Sequence, residues 1–190
     1  MTMGDHCGWG YIANNPNLKS TTQLIQNLVT AAAGEGNFLL NIGPKPDGSV
    51  RREERIRLEA IGEWLRKNGE SIYGSQRCSL GYPFWPGGIE GMVGMLGMAT
   101  RKGDDIYIHV FRWPAQGEAC IPELKNDVKR ATILATGQEL DVVCGTNGRM
   151  FIKNLPKSPP DHHCSTIKLE LDGSPRVYRT PTDDLGIIAL

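Results

Sequence analysis

The sequence predicts an α/β segment followed by an all-β segment. Two stretches, residues 24–32 and 56–65, carry apolar residues at helical spacing. Between them lies a continuous apolar run, residues 38–42, broken only by Asn41. After Tyr73 the pattern changes to short alternating stretches separated by Gly and Asn turns. We therefore expect the order helix, strand, helix, and then an antiparallel β-sandwich.

The first helix has clear start and stop signals. Ser20 is followed three residues later by Gln23, which predicts a capping box at the N-terminus. Gly34 and Gly36 end the helix, and we assign the segment 34–36 to this cap rather than to a phosphate loop, which would follow a strand. The predicted apolar face consists of Leu24, Ile25, Leu28, Val29 and Ala32.

The strand and the second helix follow directly. An uninterrupted apolar run such as 38–42 suits a parallel strand that is covered on both faces. A turn at residues 44–48 follows, with Asp47 explained by its turn role, and Ser49 is predicted to cap a helix that ends at Gly69. The charged run 51–59 predicts a solvated face, and the predicted buried face consists of Ile56, Ala60, Ile61, Trp64 and Leu65.

Regular short strands occupy the rest of the chain. They are predicted at residues 95–99, 106–111, 130–134, 140–144, 150–154 and 166–171. The Gly-, Pro- and aromatic-rich stretch before them indicates a linker. The predicted organisation is an α/β part over residues 1–75, a linker over 76–90 and a β-sandwich over 91–190.

Composition excludes several classes of function. The 190 residues carry 21 basic and 21 acidic side chains, so the net charge of zero gives no case for nucleic acid or an anionic membrane as partner. No apolar run approaches the ~18 residues of a membrane span. The five cysteines are scattered without a CxxC pair, which predicts neither a disulfide framework nor a metal site. No cofactor is predicted.

The sequence DHHC at residues 161–164 is the most conspicuous short motif. It follows a Pro-rich stretch and precedes an alternating strand, which favours a loop and strand start. Metal binding by its two histidines and cysteine is the alternative, but no fourth ligand lies nearby in the sequence.

Trp9 and Asn41 are the candidate site residues. Trp9 lies between two glycines outside any helix or strand pattern, so its ring either packs structurally or forms a wall against the apolar face of a sugar. Asn41 stands at the end of the apolar run, where it either ties down the next loop or contacts a ligand.

The α/β part is too short to close a parallel sheet by itself. A complete (β/α) barrel needs roughly 250 residues, and only residues 1–75 have this pattern. We therefore expect the end of a barrel whose beginning is absent from this sequence.

Three stretches resemble a known family. "WGY", "LIQNLVTAAAGEGNFLLNIGPKPDGSV" and "LEAIGEWLRKNGESIYGS" are similar, in order and spacing, to the C-terminal part of the catalytic domain of α-L-fucosidases, glycoside hydrolase family 29. "DDIYIHVFRWP", "VKRATILATGQEL" and "STIKLELDG" are similar to the family's C-terminal sandwich. The resemblance implies the incomplete C-terminal part of a (β/α) TIM-like barrel, followed by an antiparallel β-sandwich.

The resemblance also implies an activity. Members of the family are retaining exo-hydrolases of terminal α-L-fucose in fucosylated glycans, need no cofactor, and are often secreted, periplasmic or lysosomal. Their catalytic carboxyl groups correspond to positions upstream of Met1, so we expect no catalytic residue in this chain and no activity from it alone. Trp9 matches the aromatic wall of the fucose pocket, although Cys7-Gly8 before it departs from the common pattern, and Asn41 matches an asparagine that supports the site.

Two other functions stay open from the sequence. The sandwich by itself could be a carbohydrate-binding module, with Trp85 or Trp113 stacking on the sugar. The chain could also be an inactive gene remnant that folds poorly, because a piece of a barrel leaves an apolar face uncovered.

Overall fold

The computed structural model describes residues 1–4, 8–78, 80, 92–93, 96–121, 124–145 and 149–176. Two helices come first, α1 (Thr21–Ala33) and α2 (Arg52–Asn68), and a short 3₁₀ turn (Gly69–Ser71) follows α2. Strands occupy the later part, so the predicted change from helical to β structure is confirmed. Within the described residues, no helix has the length and apolar character that a membrane span requires.

Helix α1 forms as the sequence predicts. The Ser20 hydroxyl accepts a hydrogen bond from the Gln23 amide at 3.1 Å, and the Gln23 side chain accepts one from the Ser20 amide at 2.8 Å, which completes the capping box. Gly34 is the C-cap, and Glu35 takes the left-handed conformation with φ of 56°. The buried face consists of Leu24, Ile25, Val29 and Ala33. The predicted face is therefore wrong at its end, because Ala33 is buried whereas Ala32, like Leu28, is only half-buried.

Helix α2 differs from the prediction at its start and in its buried face. Its N-cap is Arg51, without a side-chain cap, so Ser49 as the cap is wrong; the Ser49 hydroxyl instead donates to Asp47 within the turn. The buried side chains are Glu54, Trp64 and Asn68. Ile56 comes two positions after Glu54 and so lies on a different face of the helix, where it is 50% exposed.

The segment 38–42 is not a strand buried on both faces. Its only ladder contact in the described residues is an isolated parallel bridge between Asn41 and Thr2, and the Leu39 side chain is 71% exposed. A parallel strand becomes buried only where neighbouring strands and helices cover both of its faces. The described part of this chain supplies one short neighbour, residues 1–4, and no cover for Leu39.

An antiparallel sheet forms the β part. Its strands in the described residues are β1 (Gln76–Arg77), β2 (Met92–Val93), β3 (Gly97–Lys102), β4 (Asp105–Val110), β5 (Ala119–Ile121), β6 (Val128–Ile133), β7 (Glu139–Cys144), β8 (Met150–Lys153) and β9 (Ser165–Leu171). The order is β1-β3-β4-β9-β6-β7-β8-β5, with β2 also paired to β3. Strand β1 lies in the predicted 76–90 linker, most of which falls outside the described residues together with Trp85.

The sheet curls around one core. Strand β7 changes partner along its length, since Leu140 pairs with β6 whereas residues 141–144 pair with β8. This change folds β8 and β5 over the central strands, so that their inward side chains share one apolar cluster with those of β4, β6 and β9. Members of that cluster include Ile106, Ile108, Ile121, Ile133, Met150, Ile152, Ile167 and Leu169.

A second apolar cluster joins the helices to the sheet. It combines Ile25, Val29 and Trp64 from the helices with Met98 and Cys164 from the β part. Residues from both regions are buried in this one cluster. The helices and the sheet are therefore packed into a continuous structure, although the division into domains stays a prediction.

The DHHC segment lies at this junction as a loop and strand start, as predicted. The Asp161 carboxylate accepts hydrogen bonds from the His163 and Cys164 amides at 2.8 and 3.3 Å and so closes the loop. The His163 ring lies 2.8 Å from the Thr22 hydroxyl of α1, and the Trp64 indole donates to the Cys164 carbonyl at 2.8 Å. The motif is thus a structural contact between helices and sheet. The described residues contain no group of three His, Cys, Asp or Glu side chains able to hold a metal.

Candidate functional site

Two parallel segments form the base of the candidate site. The Asn41 amide donates to the Met1 carbonyl at 2.9 Å, and the Met3 amide donates to the Asn41 carbonyl at 3.1 Å. Because the segments run parallel, the loops that follow them leave from the same edge. In parallel α/β sheets that carboxyl edge is where ligands bind.

The structure brings the two predicted site residues together. The Asn41 side-chain amide donates to the Trp9 carbonyl oxygen at 2.7 Å. The Trp9 side chain is 58% exposed, so its ring is open to solvent and available to a ligand. Asn41 therefore supports the loop that carries Trp9. Direct contact of either residue with a substrate stays a prediction.

A close backbone contact also fixes this loop. A Cβ atom added at Gly43 would lie 2.9 Å from the carbonyl carbon and oxygen of Gly10 and from the amide of Tyr11. Any side chain at position 43 would push the loop away, since real Cβ atoms do not approach backbone so closely. In the sequence, Gly43 precedes a proline, and this pattern indicates a turn but not the contact with the loop that carries Trp9.

Arg51 and Glu54 anchor the far end of the same loop. The Arg51 guanidinium donates to the Ile12 and Asn15 carbonyls at 3.3 and 3.5 Å, and its Nε lies 3.9 Å from Glu54 Oε2. Both side chains are buried, so the prediction of a solvated charged face is wrong at these two positions. Sequence reasoning missed them because a charged run gives no sign of which members face a loop distant in sequence.

A cleft of about 480 Å³ opens beside the loop. The loop, the start of α2 and the turn after Asn41 all contribute to its lining, the turn through Lys45. Its lining residues are Tyr11, Asn14, Asn15, Pro16, Leu18, Lys45, Arg51, Arg52, Glu53 and Arg57.

Asp47 shows no sign of a catalytic role. Its carboxylate accepts hydrogen bonds from the Ser49 amide at 2.9 Å and the Ser49 hydroxyl at 2.7 Å. These two bonds lower the pKa of Asp47, since they stabilise the ionised form. The carboxylate is therefore engaged in its own turn, as the sequence predicts.

Trp113, a candidate for sugar stacking in the β part, is engaged in the fold. Its indole donates to the Pro156 carbonyl at 2.8 Å, and its ring packs against the core of the sheet. These contacts disfavour the β part as an independent carbohydrate-binding module that uses Trp113.

Comparisons with known proteins identify a family to which this chain is similar. The family model described as Alpha-L-fucosidase matches residues 1–70. Tissue α-L-fucosidase of Mus musculus is 39% identical over 162 residues, covering 84% of this chain and 34% of that protein. α-L-Fucosidase of Dictyostelium discoideum is 32% identical over 168 residues, covering 85% of this chain and 34% of that protein.

A solved structure of an α-L-fucosidase has a similar fold. An α-L-fucosidase of family GH29 from Bacteroides thetaiotaomicron, crystallised as a trapped covalent intermediate, superposes with a TM-score of 0.76 at 28% identity. The superposition covers 91% of this chain and 37% of that one. Fold and sequence together are therefore those of a glycoside hydrolase family.

Within that class, the chain belongs to the α-L-fucosidase family. It spans about a third of the length of the curated relatives that it matches. We therefore treat the activity of a whole fucosidase as a proposal for this chain.

Proposed function

We propose that this chain supplies one wall of the fucose site in a retaining α-L-fucosidase that removes terminal α-L-fucose from fucosylated glycans. The observation that carries the proposal is the hydrogen bond from Asn41 to the Trp9 carbonyl, which holds an exposed aromatic ring at the carboxyl edge of two parallel segments. An aromatic face of this kind packs well against the apolar C–H face of a sugar, and polar groups around it fix the hydroxyls.

The retaining mechanism determines which catalytic groups the whole enzyme needs. Double displacement needs two carboxyl groups about 5–5.5 Å apart, one to attack the anomeric carbon and one to protonate the leaving oxygen and then activate water. The covalent intermediate trapped in the Bacteroides thetaiotaomicron relative with 2-fluoro-fucosyl fluoride supports this route. We place both carboxyl groups in the part of the enzyme to which this sequence does not correspond, so that Trp9 and Asn41 act in binding.

The proposed architecture follows the same relatives. Residues 1–75 form the C-terminal end of a (β/α) barrel, residues 76–90 form a linker, and residues 91–190 form a β-sandwich. The parallel pairing of residues 1–4 with Asn41, each segment followed by a helix, supports the barrel assignment. The folding of β8 and β5 over the central strands supports the sandwich assignment.

The test is a titration of the purified 190-residue chain with L-fucose, followed through the indole N–H signals in NMR spectra. We expect the Trp9 signal to shift with L-fucose and not with D-fucose, because a chiral site discriminates enantiomers. Trp9→Phe removes the responding signal, whereas the control Trp113→Phe leaves the response unchanged. The same sample should not hydrolyse an aryl α-L-fucoside.

Two results would contradict the proposal. Equal shifts with both enantiomers would show that Trp9 does not line a fucose site. Saturable hydrolysis by the chain alone would show that the catalytic carboxyl groups are among its own residues.

A further inference from the structure

The cleft beside the Trp9 loop carries an excess of positive charge, although the whole chain has none. Four cationic side chains and one carboxylate, Glu53, line it. Arg51 pairs with Glu54, which does not line the cleft. Three cationic side chains, Lys45, Arg52 and Arg57, then remain in the lining, and Glu53 is the one carboxylate among them. With equal numbers of acidic and basic residues in the chain, this surplus is a local feature of the cleft.

The cations are placed so that they can act together. Arg57 is held in position, since its guanidinium donates to the Lys19 and Glu53 carbonyls at 2.7 and 2.8 Å. Arg52 is the first residue of α2 and is exposed, and Lys45, on the turn after Asn41, is also exposed and lines the cleft.

The cleft is lined by part of the loop that carries the proposed fucose wall. Tyr11, which lines the cleft, follows Trp9 by two residues, and the intervening Gly10 is held against Gly43. Tyr11 is partly exposed and offers an aromatic surface within the cleft. Both features belong to loops that leave the same edge of the two parallel segments.

We propose that this cleft binds an oxyanion carried by the glycan, a sulfate ester or a carboxylate, so that acidic fucosylated glycans are the preferred substrate class. The proposal rests on the proposed function, because the fucose residue is taken to lie against Trp9. Lys45, Arg52 and Arg57 supply the charge, and the amides of Asn14 and Asn15 supply hydrogen bonds to the sugar that carries the anion.

The experiment measures binding of three probes to the purified chain through backbone amide signals in NMR spectra. The probes are a neutral fucosylated trisaccharide, the same trisaccharide with one sulfate ester, and inorganic sulfate. We expect the sulfated trisaccharide to bind about fivefold more tightly than the neutral one at low ionic strength, with shifts at residues 11–18 and 52–53, because partly exposed charge pairs have modest energies. Raising the salt concentration should remove the preference.

Variants locate the effect. The double variant Lys45→Gln/Arg52→Gln should lose the preference for the sulfated probe and keep its affinity for the neutral one. Arg55→Gln is the matched control, since Arg55 is equally exposed on α2 but pairs with Glu59 outside the cleft. All three substituted side chains are exposed, so the variants should fold normally.

The outcomes separate the two proposals. Equal affinity for the two trisaccharides, or a preference that survives in the double variant, would overturn the cleft proposal. Inorganic sulfate binding as tightly as the sulfated trisaccharide would also overturn it, because the site would then serve a free anion. A fourth probe, a sulfated trisaccharide without fucose, tests the fucose wall separately. If it binds as well as the sulfated fucosylated trisaccharide, the result would support the cleft and contradict the fucose wall.

Discussion

His109 of β4 is a fully buried titratable group. Its Nε2 lies 3.0 Å from the Thr100 hydroxyl, which itself donates to the Ser71 carbonyl at 2.8 Å. The Thr100 hydroxyl has one proton to give, so it must accept from Nε2–H, and the neutral tautomer is thereby fixed. Nδ1 then faces the Thr166 hydroxyl at 3.4 Å as an acceptor. Burial lowers the pKa of His109 to about 3.

This histidine should make the stability of the chain depend on pH. Because its folded pKa lies below the ordinary value of 6.5, its contribution is fully present above pH 6.5 and is lost as the pH falls toward about 3. The free energy of unfolding should fall by up to about 1.4 kcal/mol per pH unit within that window. Urea unfolding between pH 7.5 and 4.5 measures the slope.

Variants identify the source of that slope. His109→Gln should flatten it, because the amide does not titrate. Burial also lowers the pKa of His163, but that ring is only partly buried, so His163→Gln should leave most of the slope in place. A slope equal in the wild type and in His109→Gln would assign the pH dependence to other groups.

At the scale of elements, the start of α1 and the start of α2 differ in a measurable way. Ser20→Ala removes the capping hydroxyl of α1 and should lower the free energy of unfolding by about 1 kcal/mol, the usual loss for an N-cap. Ser49→Ala is the matched control, because Ser49 caps no helix and its bonded turn is exposed; we expect a loss of less than about 0.5 kcal/mol. Chemical denaturation of the two variants compares them, and a larger loss at Ser49 would contradict the assignment of Arg51 as N-cap.

The same elements show what the sequence can predict. The capping box and the end of α1 depend on residues within a few positions of one another, and both were predicted. The segment 38–42 depends on neighbouring strands, so its apolar composition alone predicted a buried strand where Leu39 is exposed. The contact between Asn41 and Trp9 joins residues that were predicted separately, whereas the roles of Arg51 and Glu54 depend on a loop about 40 positions away in the sequence.

At the scale of the whole molecule, a charged network joins the end of α2 to the sheet. The Glu70 carboxylate accepts hydrogen bonds from the Tyr107 hydroxyl at 2.6 Å and from Lys168 Nζ at 2.8 Å. Hydrogen bonds from Lys168 and, to a smaller extent, from Tyr107 lower the pKa of Glu70. Burial and, to a smaller extent, the hydrogen bond to Glu70 raise the pKa of Tyr107. Since Glu70 and Lys168 are partly exposed, this network adds only modest stability.

The apolar junction should make the helices and the sheet unfold together. Trp64 is buried at its centre, packs with residues of both regions and donates to the Cys164 carbonyl. Thermal unfolding followed by circular dichroism of the helices should therefore coincide with unfolding followed by fluorine NMR of fluorotryptophan at Trp64 and Trp113. An inactive remnant that folds poorly predicts the opposite, a broad transition or separate ones.

Substitution at the junction tests whether the coupling comes from Trp64. Trp64→Phe removes the indole donor and leaves the buried Cys164 carbonyl without it, so we expect a loss of about 1–3 kcal/mol. The helical signal should then melt below the sheet signal, because the contact that joins the two regions is weakened. Trp113→Phe is the control, since its indole bonds only within the β part. The helical signal and the remaining fluorotryptophan signal at Trp64 should then share one lowered midpoint. Separate transitions in the wild type would show that the helices and the sheet fold independently, and the junction would then be a contact without energetic coupling.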